Sequence, residues 1–357
     1  LGQAVGPAAA ERSKNLSHQY FVTGGAGFIG SNYVDRLLRR GESVTVYDNL
    51  SRAGAPRNLD WLRQSYGSSS FHFIQGDVRQ ADLLVSSMQE ADVVVHLASQ
   101  VAVTTSVLDP RQDFECNAWG TFNVLEAARQ SKKLPIVIYA STNKVYGNME
   151  STRISEEFTR YRYTDLPYGV DEAQPLDFHS PYGCSKGAGD QYTRDYARIY
   201  GLPTVVLRQS CIYGPRQFGV EDQGWVAWFL IAAVTGRPVT IYGNGKQVRD
   251  ILFIDDLLDV YDAAVEHINL AAGQVYNIGG GPENTLSVWH EFGPLLEEHL
   301  GHPLPVEWGD WRPGDQQVFV ADIRKAGGEL GFQPGTSVRQ GISRLHHWVS
   351  NNRSLFE

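Results

Sequence analysis

The feature that most constrains this chain is a glycine turn set between a strand and a helix. Residues 23–30 read Thr-Gly-Gly-Ala-Gly-Phe-Ile-Gly, with Gly24, Gly27 and Gly30 three residues apart. Upstream, Tyr20–Thr23 is a short strand. Downstream, Phe28–Arg40 carries Ile29, Tyr33, Val34, Leu37 and Leu38 at helical spacing, and Gly41 ends the helix. Glycine here permits a tight turn and lets a ligand approach the backbone. The helix that follows turns free N–H groups and the positive end of its dipole toward an anion lodged in the turn. A strand, this turn and a helix in succession begin a unit that binds the pyrophosphate of a dinucleotide.

The rest of the chain extends this start into a parallel sheet. Ser43–Tyr47, Phe71–Gln75, Val93–Leu97, Ile136–Ala140 and Thr204–Leu207 are short strands of the kind buried on both faces, with helices predicted at Asp113–Lys132 and Pro181–Tyr200. The alternation predicts an α/β fold, a doubly wound parallel sheet of Rossmann type, over residues 18–212. Beyond about Tyr213, Gly, Pro and Trp become frequent, and short strands fall at Pro238–Tyr242, Asp250–Ile254 and Val275–Ile278. Residues 213–357 are expected to form mainly a smaller, mixed substrate-binding domain, with some return to the main sheet. Residues 1–17, rich in Ala and Gly, are expected to be a disordered tail.

Composition narrows the class. With 42% hydrophobic and 20% charged residues, a chain of 357 can pack a large core. A formal charge of −9 argues against a nucleic-acid partner. No apolar run approaches the ~20 residues of a membrane helix. Cys116, Cys184 and Cys211 lie far apart, as suits a reducing compartment, so a cytoplasmic enzyme is expected.

Asp48 follows Gly30 by 18 residues and ends the second strand. A carboxylate there can bond both hydroxyls of a ribose and repel a 2′-phosphate, so the expected cofactor is NAD rather than NADP. Asp77, after the third strand, is placed to meet the adenine, and Leu97-Ala98-Ser99 to pass beneath the nicotinamide. Tyr182 and Lys186 form a Tyr-x-x-x-Lys, which on a helix puts phenol and ammonium on one face. The ammonium favours phenolate, making Tyr182 a candidate base. Thr142, ending the fifth strand, can hydrogen-bond the same reacting hydroxyl. His96 reads as a core histidine. Adjacent His346 and His347 face different sides of a helix, so no metal site is expected.

Together these motifs resemble the extended short-chain dehydrogenase/reductase family of nucleotide-sugar enzymes, and the resemblance runs from Tyr20 to Trp348. Its carriers are residues 23–30, Tyr-Asp-Asn-Leu (47–50), Gly-Asp-Val (76–78), His-Leu-Ala (96–98), Asn-Ala-Trp-Gly-Thr (117–121), Tyr-Gly-Cys-Ser-Lys (182–186), Tyr-Gly-Asn-Gly-Lys-Gln-Val-Arg-Asp (242–250) and Arg-Pro-Gly-Asp (312–315). The resemblance implies a catalytic triad of Thr142, Tyr182 and Lys186, with Asn117 a structural asparagine beside it. It implies cofactor contacts from Gly24, Gly27, Phe28, Ile29, Gly30, Asp48, Asn49, Asp77, Val78, Leu97, Ala98, Asn117, Tyr182 and Lys186. The substrate would be a nucleotide-diphosphate sugar, its phosphates forked by Arg249 and Arg312 with Gln247 nearby. Each arginine also has an aspartate within reach, Asp250 or Asp315. In such enzymes the helices matching Asp113–Lys132 and Pro181–Tyr200 pack against their copies, which implies a homodimer.

The residues after Thr142 bear on the reaction. The 4,6-dehydratases carry an Asp-Glu pair there and the decarboxylases a Thr-Ser-Glu, whereas this chain has Asn143 and Lys144. Ser141–Gly147 looks instead like the CDP-paratose (CDP-tyvelose) 2-epimerases. So do Arg153–Pro167 and its continuation to Glu172, Leu176–Pro181, Arg216-Gln217-Phe218 and Asp222-Gln223-Gly224-Trp225. Asn143, Gln223, Gly224 and Trp225 thereby join Gln247, Arg249 and Arg312 as expected substrate contacts. One departure is Cys211, where dehydratases carry an Asn that holds the sugar phosphates. The implied activity is an NAD-dependent nucleotide-sugar 2-epimerase, an isomerase working through a 2-keto sugar. The alternatives are a 4-epimerase or another enzyme of the family, such as a decarboxylase or dehydratase. A non-enzymatic NAD sensor is disfavoured by the intact Thr142, Tyr182 and Lys186.

Overall fold

A computed structural model describes residues 17–312 and 315–357. The tail expected at 1–17 falls outside them except for Ser17, as do Pro313 and Gly314 of the Arg-Pro-Gly-Asp motif. Seven strands form the main sheet: β1 (Gln19–Thr23), β2 (Ser43–Asp48), β3 (His72–Gln75), β4 (Val93–His96), β5 (Ile136–Thr142), β6 (Thr204–Gln209) and β7 (Val275–Ile278). They lie in the order β3-β2-β1-β4-β5-β6-β7, every pair parallel. The chain steps one way from β1 to β3 and the other way from β4 onward. Ligands bind where such a sheet switches direction, outside the strand ends.

The sheet forms because its central strands have no polar face to offer water. All four residues of β4 and all six of β6 are buried, between helices on both sides. The helix Phe28–Arg39 lays Tyr33, Val34 and Leu37 into the core. The helix Ser180–Tyr200 takes Pro181 in its first turn, where no intrahelical N–H is lost, and stops at Gly201, whose φ of 66° is left-handed.

Three expectations change. Asp113–Lys132 is not one helix: Pro110–Phe114 leads through a π-helical turn, Glu115–Trp119, into Gly120–Arg129. Beyond Tyr213 there are also long helices, at Trp225–Thr235, Ile254–Glu266 and Val338–Asn351. Trp225–Thr235 reads Trp-Val-Ala-Trp-Phe-Leu-Ile-Ala-Ala-Val-Thr, apolar all round and mostly buried, so it shows no periodic polar face. Ile254, expected in a strand, instead starts a helix whose first turn holds Asp255 and Asp256, a placement the helix dipole favours.

The chain then rejoins the main sheet as β7, paired with β6. The strands Cys211–Tyr213, Val248–Phe253, Thr285–Ser287 and Val318–Phe319 make a separate small sheet. The insertion after Arg153 folds as a hairpin, Ile154–Glu156 against Tyr161–Tyr163. It docks on this lobe through Arg160 Nε to Glu291 Oε1 (2.7 Å) and Tyr163 Oη to the Val318 carbonyl (2.8 Å). Among the described residues no helix is long and apolar enough to cross a membrane.

Candidate active site

A cleft of about 470 Å³ opens at the C-terminal ends of β1, β2, β4 and β5. Gly24, Gly27, Phe28, Ile29 and Gly30 all line it. Gly24 has φ +69°, and its N–H donates to the Tyr47 carbonyl at 2.8 Å. A Cβ on Gly24 would stand 2.7 Å from Ala98 N, and one on Gly30 would run into the Gly24 carbonyl. Only glycine fits this cradle, which leaves room for a pyrophosphate over the helix start.

Asp48 lies at the cleft with both carboxylate oxygens engaged. Oδ2 accepts from Ala26 N (3.0 Å) and Oδ1 from Leu50 N (2.8 Å). Burial raises its pKa, and the two N–H groups pull it back. Asn49, Val78, Leu97 and Ala98 also line the cleft. Asp77 is not in the lining. Its carboxylate pairs with Arg79 Nη2 (2.8 Å) and accepts from Asn49 Nδ2 (2.9 Å), and the Arg79 hydrogen bond leads the effects that hold it down at about 2. The structure therefore places Asp77 behind Asn49.

Tyr182 and Lys186 face the cleft from the first turns of their helix. Burial drives the Tyr182 phenol up to about 12, while a hydrogen bond with Thr142 pulls it down. The Thr142 hydroxyl also accepts from Lys144 N (3.2 Å), so strand end and helix start meet. Lys186 Nζ donates to the Ala140 carbonyl at 2.6 Å and stands over the Tyr139 ring, and burial lowers its pKa to about 8. Among the described residues no hydrogen bond joins it to Tyr182. The expectation that helical spacing alone puts the ammonium against the phenol is thus met only as a shared face.

Asn117 sits in the π-helical turn, an irregularity often found at functional sites. Its amide accepts from Gln100 N (2.8 Å) and donates to Asp113 Oδ1 (3.1 Å) and Ser185 Oγ (3.2 Å). It ties the loop after β4 to the helix that carries Tyr182. His96 is buried between the Thr23 and Thr121 hydroxyls, 2.7 and 3.0 Å away, a core histidine as expected.

The expected substrate residues separate into two groups. Gln223 lines the cofactor cleft, where its Oε1 accepts from Arg52. Gly224, with φ +76°, caps the helix that begins at Trp225, whose ring packs edge-on against Phe292 at 5.1 Å. The second group gathers between the strand Val248–Phe253 and the turn after β5. Asn143 Oδ1 accepts from Thr142 Oγ1 (3.3 Å). Arg249 Nη2 pairs with Asp315 Oδ1 at 2.7 Å, and Gln247 Nε2 reaches Asp315 Oδ2 at 3.5 Å. Arg312 belongs instead with Gln223: it lies over the Tyr242 ring and pairs with Asp222 at 3.2 Å.

Arg52, Arg216 and Phe218 also line the cofactor cleft, a place that sequence reasoning does not give them. Arg216, a non-glycine residue at φ +68°, stacks 3.9 Å over the Trp61 ring. Read from sequence, its motif carries only a resemblance to the 2-epimerases and no contact. What puts it on the cofactor side is Phe218, packed against Gly54, a contact across more than 160 residues of chain.

A glycine cradle closed by a buried carboxylate, beside a threonine, a tyrosine and a lysine at the strand ends, defines a dinucleotide-dependent enzyme, and the relatives of the chain define it further. The model of the NAD dependent epimerase/dehydratase family matches residues 20–279, and the chain belongs to that family. It is 46% identical over 337 residues to the CDP-paratose 2-epimerase of Salmonella typhi, covering 92% of this chain and 98% of that one. The Thermus thermophilus UDP-glucose 4-epimerase in complex with NAD has a TM-score of 0.78 at 30% identity, covering 94% and 99% of the two chains. DesIV, a dTDP-glucose 4,6-dehydratase from Streptomyces venezuelae with NAD and TYD bound, has a TM-score of 0.81 at 29% identity, covering 95% and 99%. The cofactor of this chain is NAD, and the glycine cradle and Asp48 fit it.

Proposed function

We propose that this chain is a nucleotide-sugar 2-epimerase acting on a CDP-sugar of the paratose and tyvelose type. The observation that carries the reading is the 46% identity to the Salmonella typhi enzyme over nearly its whole length, against 33% and 34% for a 4-epimerase and a dehydratase over similar lengths. Asn143 and Lys144 support it, because neither is a carboxylate able to drive loss of water from a keto sugar.

Held by the glycine cradle and Asp48, NAD would supply the hydride acceptor and donor for C-2. Tyr182 takes the proton of the C-2 hydroxyl. Its phenol, raised to about 12 by burial, needs opposing help. Thr142 provides a hydrogen bond, and Lys186, four residues along the same helix face, provides positive charge. Thr142 and Tyr182 then hold the carbonyl oxygen of the 2-keto sugar while it turns, and Tyr182 reprotonates it. Arg249 and Arg312 grip the diphosphate, each exchanging an aspartate for a phosphate.

Substrate deuterated at C-2 tests this. The product is expected to be inverted at C-2 with its deuterium kept and none gained from deuterated water. Solvent label at C-2, or inversion at C-4 with C-2 untouched, would overturn the reading.

We also infer a homodimer formed through the helices flanking Asn117 and Tyr182. In support, Phe114, Trp119 and Tyr192 are 58%, 47% and 51% exposed, and Trp119, Phe122 and Tyr192 form a continuous aromatic patch. Sedimentation at the mass of one chain would overturn it. The three free thiols support a cytoplasmic enzyme. On this reading residues 18–212 serve mainly the cofactor and 213–357 mainly the substrate.

A further inference from the structure

Beside the catalytic residues lies a lysine, Lys144, to which the chemistry above gives no role. Lys144 stands two residues after Thr142 on the single 3₁₀ turn Asn143–Tyr146, whose start is capped by the Thr142 hydroxyl accepting Lys144 N. Its backbone is therefore tied to the residue that holds the reacting hydroxyl. Its side chain crosses to the small lobe, where Nζ donates to Gln316 Oε1 at 3.2 Å. There it lies in the field of Arg249, Asp315 and Cys211. Arg249 already pairs with Asp315, and Gln247 shares that carboxylate. Two cations thus meet one anion in a largely buried place. Burial, with Arg249 adding to it, lowers Lys144 to about 8. A group in that position gains from any further anion brought to it.

We propose that Lys144 binds the sugar-linked phosphate of the nucleotide sugar, and that this contact sets C-2 rather than C-4 as the reacting carbon. The second half rests on the 2-epimerase reading. C-2 adjoins C-1, the carbon that bears the phosphate, whereas C-4 lies across the ring from it. Seating C-2 at Thr142 and Tyr182 draws the phosphate close beside the reacting carbon. A carboxylate at position 144 would repel it there. An ammonium two residues from Thr142 attracts it, and offsets the clash between phosphate charge and the alkoxide that develops at C-2. Arg249 reaches the same diphosphate from the strand Val248–Phe253, so the two cations clamp it from both lobes.

The test compares CDP with CMP, and UDP with UMP, by calorimetric titration of the NAD-loaded wild type, Lys144→Met and Lys144→Arg. The terminal phosphate of CDP is the one at issue, and CMP lacks it. Lys144→Met is expected to weaken the diphosphate by about tenfold to a hundredfold and leave the monophosphate within about twofold, with most of the loss restored in Lys144→Arg. Retained NAD and an unchanged melting temperature report that the variant is folded. Unchanged CDP and UDP binding would overturn the proposal, as would equal weakening of the monophosphate. A tenfold loss of diphosphate binding, combined with inversion at C-4 in the deuterium experiment, would uphold the phosphate contact and overturn its part in choosing the carbon.

Discussion

Replacing Asp48 by asparagine changes one atom and separates two roles of the residue. The carboxylate is 8% exposed and accepts one backbone N–H on each oxygen, from Ala26 and Leu50. Asparagine keeps one of these bonds and turns its NH₂ toward the other N–H, donor against donor. A buried N–H left unpaired costs about 1–3 kcal/mol, so the nucleotide-free variant should unfold in urea with that loss. Toward NAD, the ribose hydroxyls exchange a charged acceptor for a neutral one, a difference of about 1–2 kcal/mol, or about 5- to 30-fold in affinity. Toward NADP the sign reverses. A unit charge on the 2′-phosphate roughly 4 Å from a carboxylate is opposed by on the order of 4 kcal/mol at an effective dielectric near 20. Removing that repulsion should narrow the preference for NAD over NADP by about a thousandfold. Calorimetric titration of the stripped protein with each nucleotide measures both numbers. Wild type binding NADP as tightly as NAD, or a variant binding NAD within twofold of wild type, would refute the reasoning.

Tyr182→Phe keeps the packed ring and removes only the phenol oxygen. Turnover should fall by about 10²–10⁴ while bound NAD and melting temperature stay unchanged; activity within tenfold of wild type would show another group to be the base. His96 gives a pH signature. Burial holds it at about 3 in the folded protein, against about 6.5 unfolded. The unfolded chain therefore binds more protons between these values. Stability from this site is fully present above about pH 6.5 and is lost as pH falls toward 3, by up to about 1.4 kcal/mol per pH unit. Urea unfolding at pH 7 and 5.5 should show a shallower pH dependence for His96→Asn than for wild type, and identical slopes would refute the assignment.

What the sequence determined by itself is what neighbours along the chain decide. Gly24, Gly27 and Gly30 act within one turn, where Gly24 takes a left-handed φ and a Cβ on Gly30 would meet the Gly24 carbonyl. Tyr182 and Lys186 share a helix face because four residues make about one turn. The buried strands betray themselves by unbroken apolar runs, and the order of strands and helices already implies the parallel sheet. The tertiary structure decided whatever depends on residues far apart in sequence. It brought Arg249 to Asp315 and Lys144 to Gln316, put Arg216 on the cleft beside the glycine cradle, and gave the Lys186 ammonium to the Ala140 carbonyl. It also hid the helix Trp225–Thr235 from periodicity by burying it on every side. Local backbone geometry follows from steric limits a few residues can impose. The partner of a buried charge is chosen by the packing of whole elements, and no short stretch of sequence contains that choice.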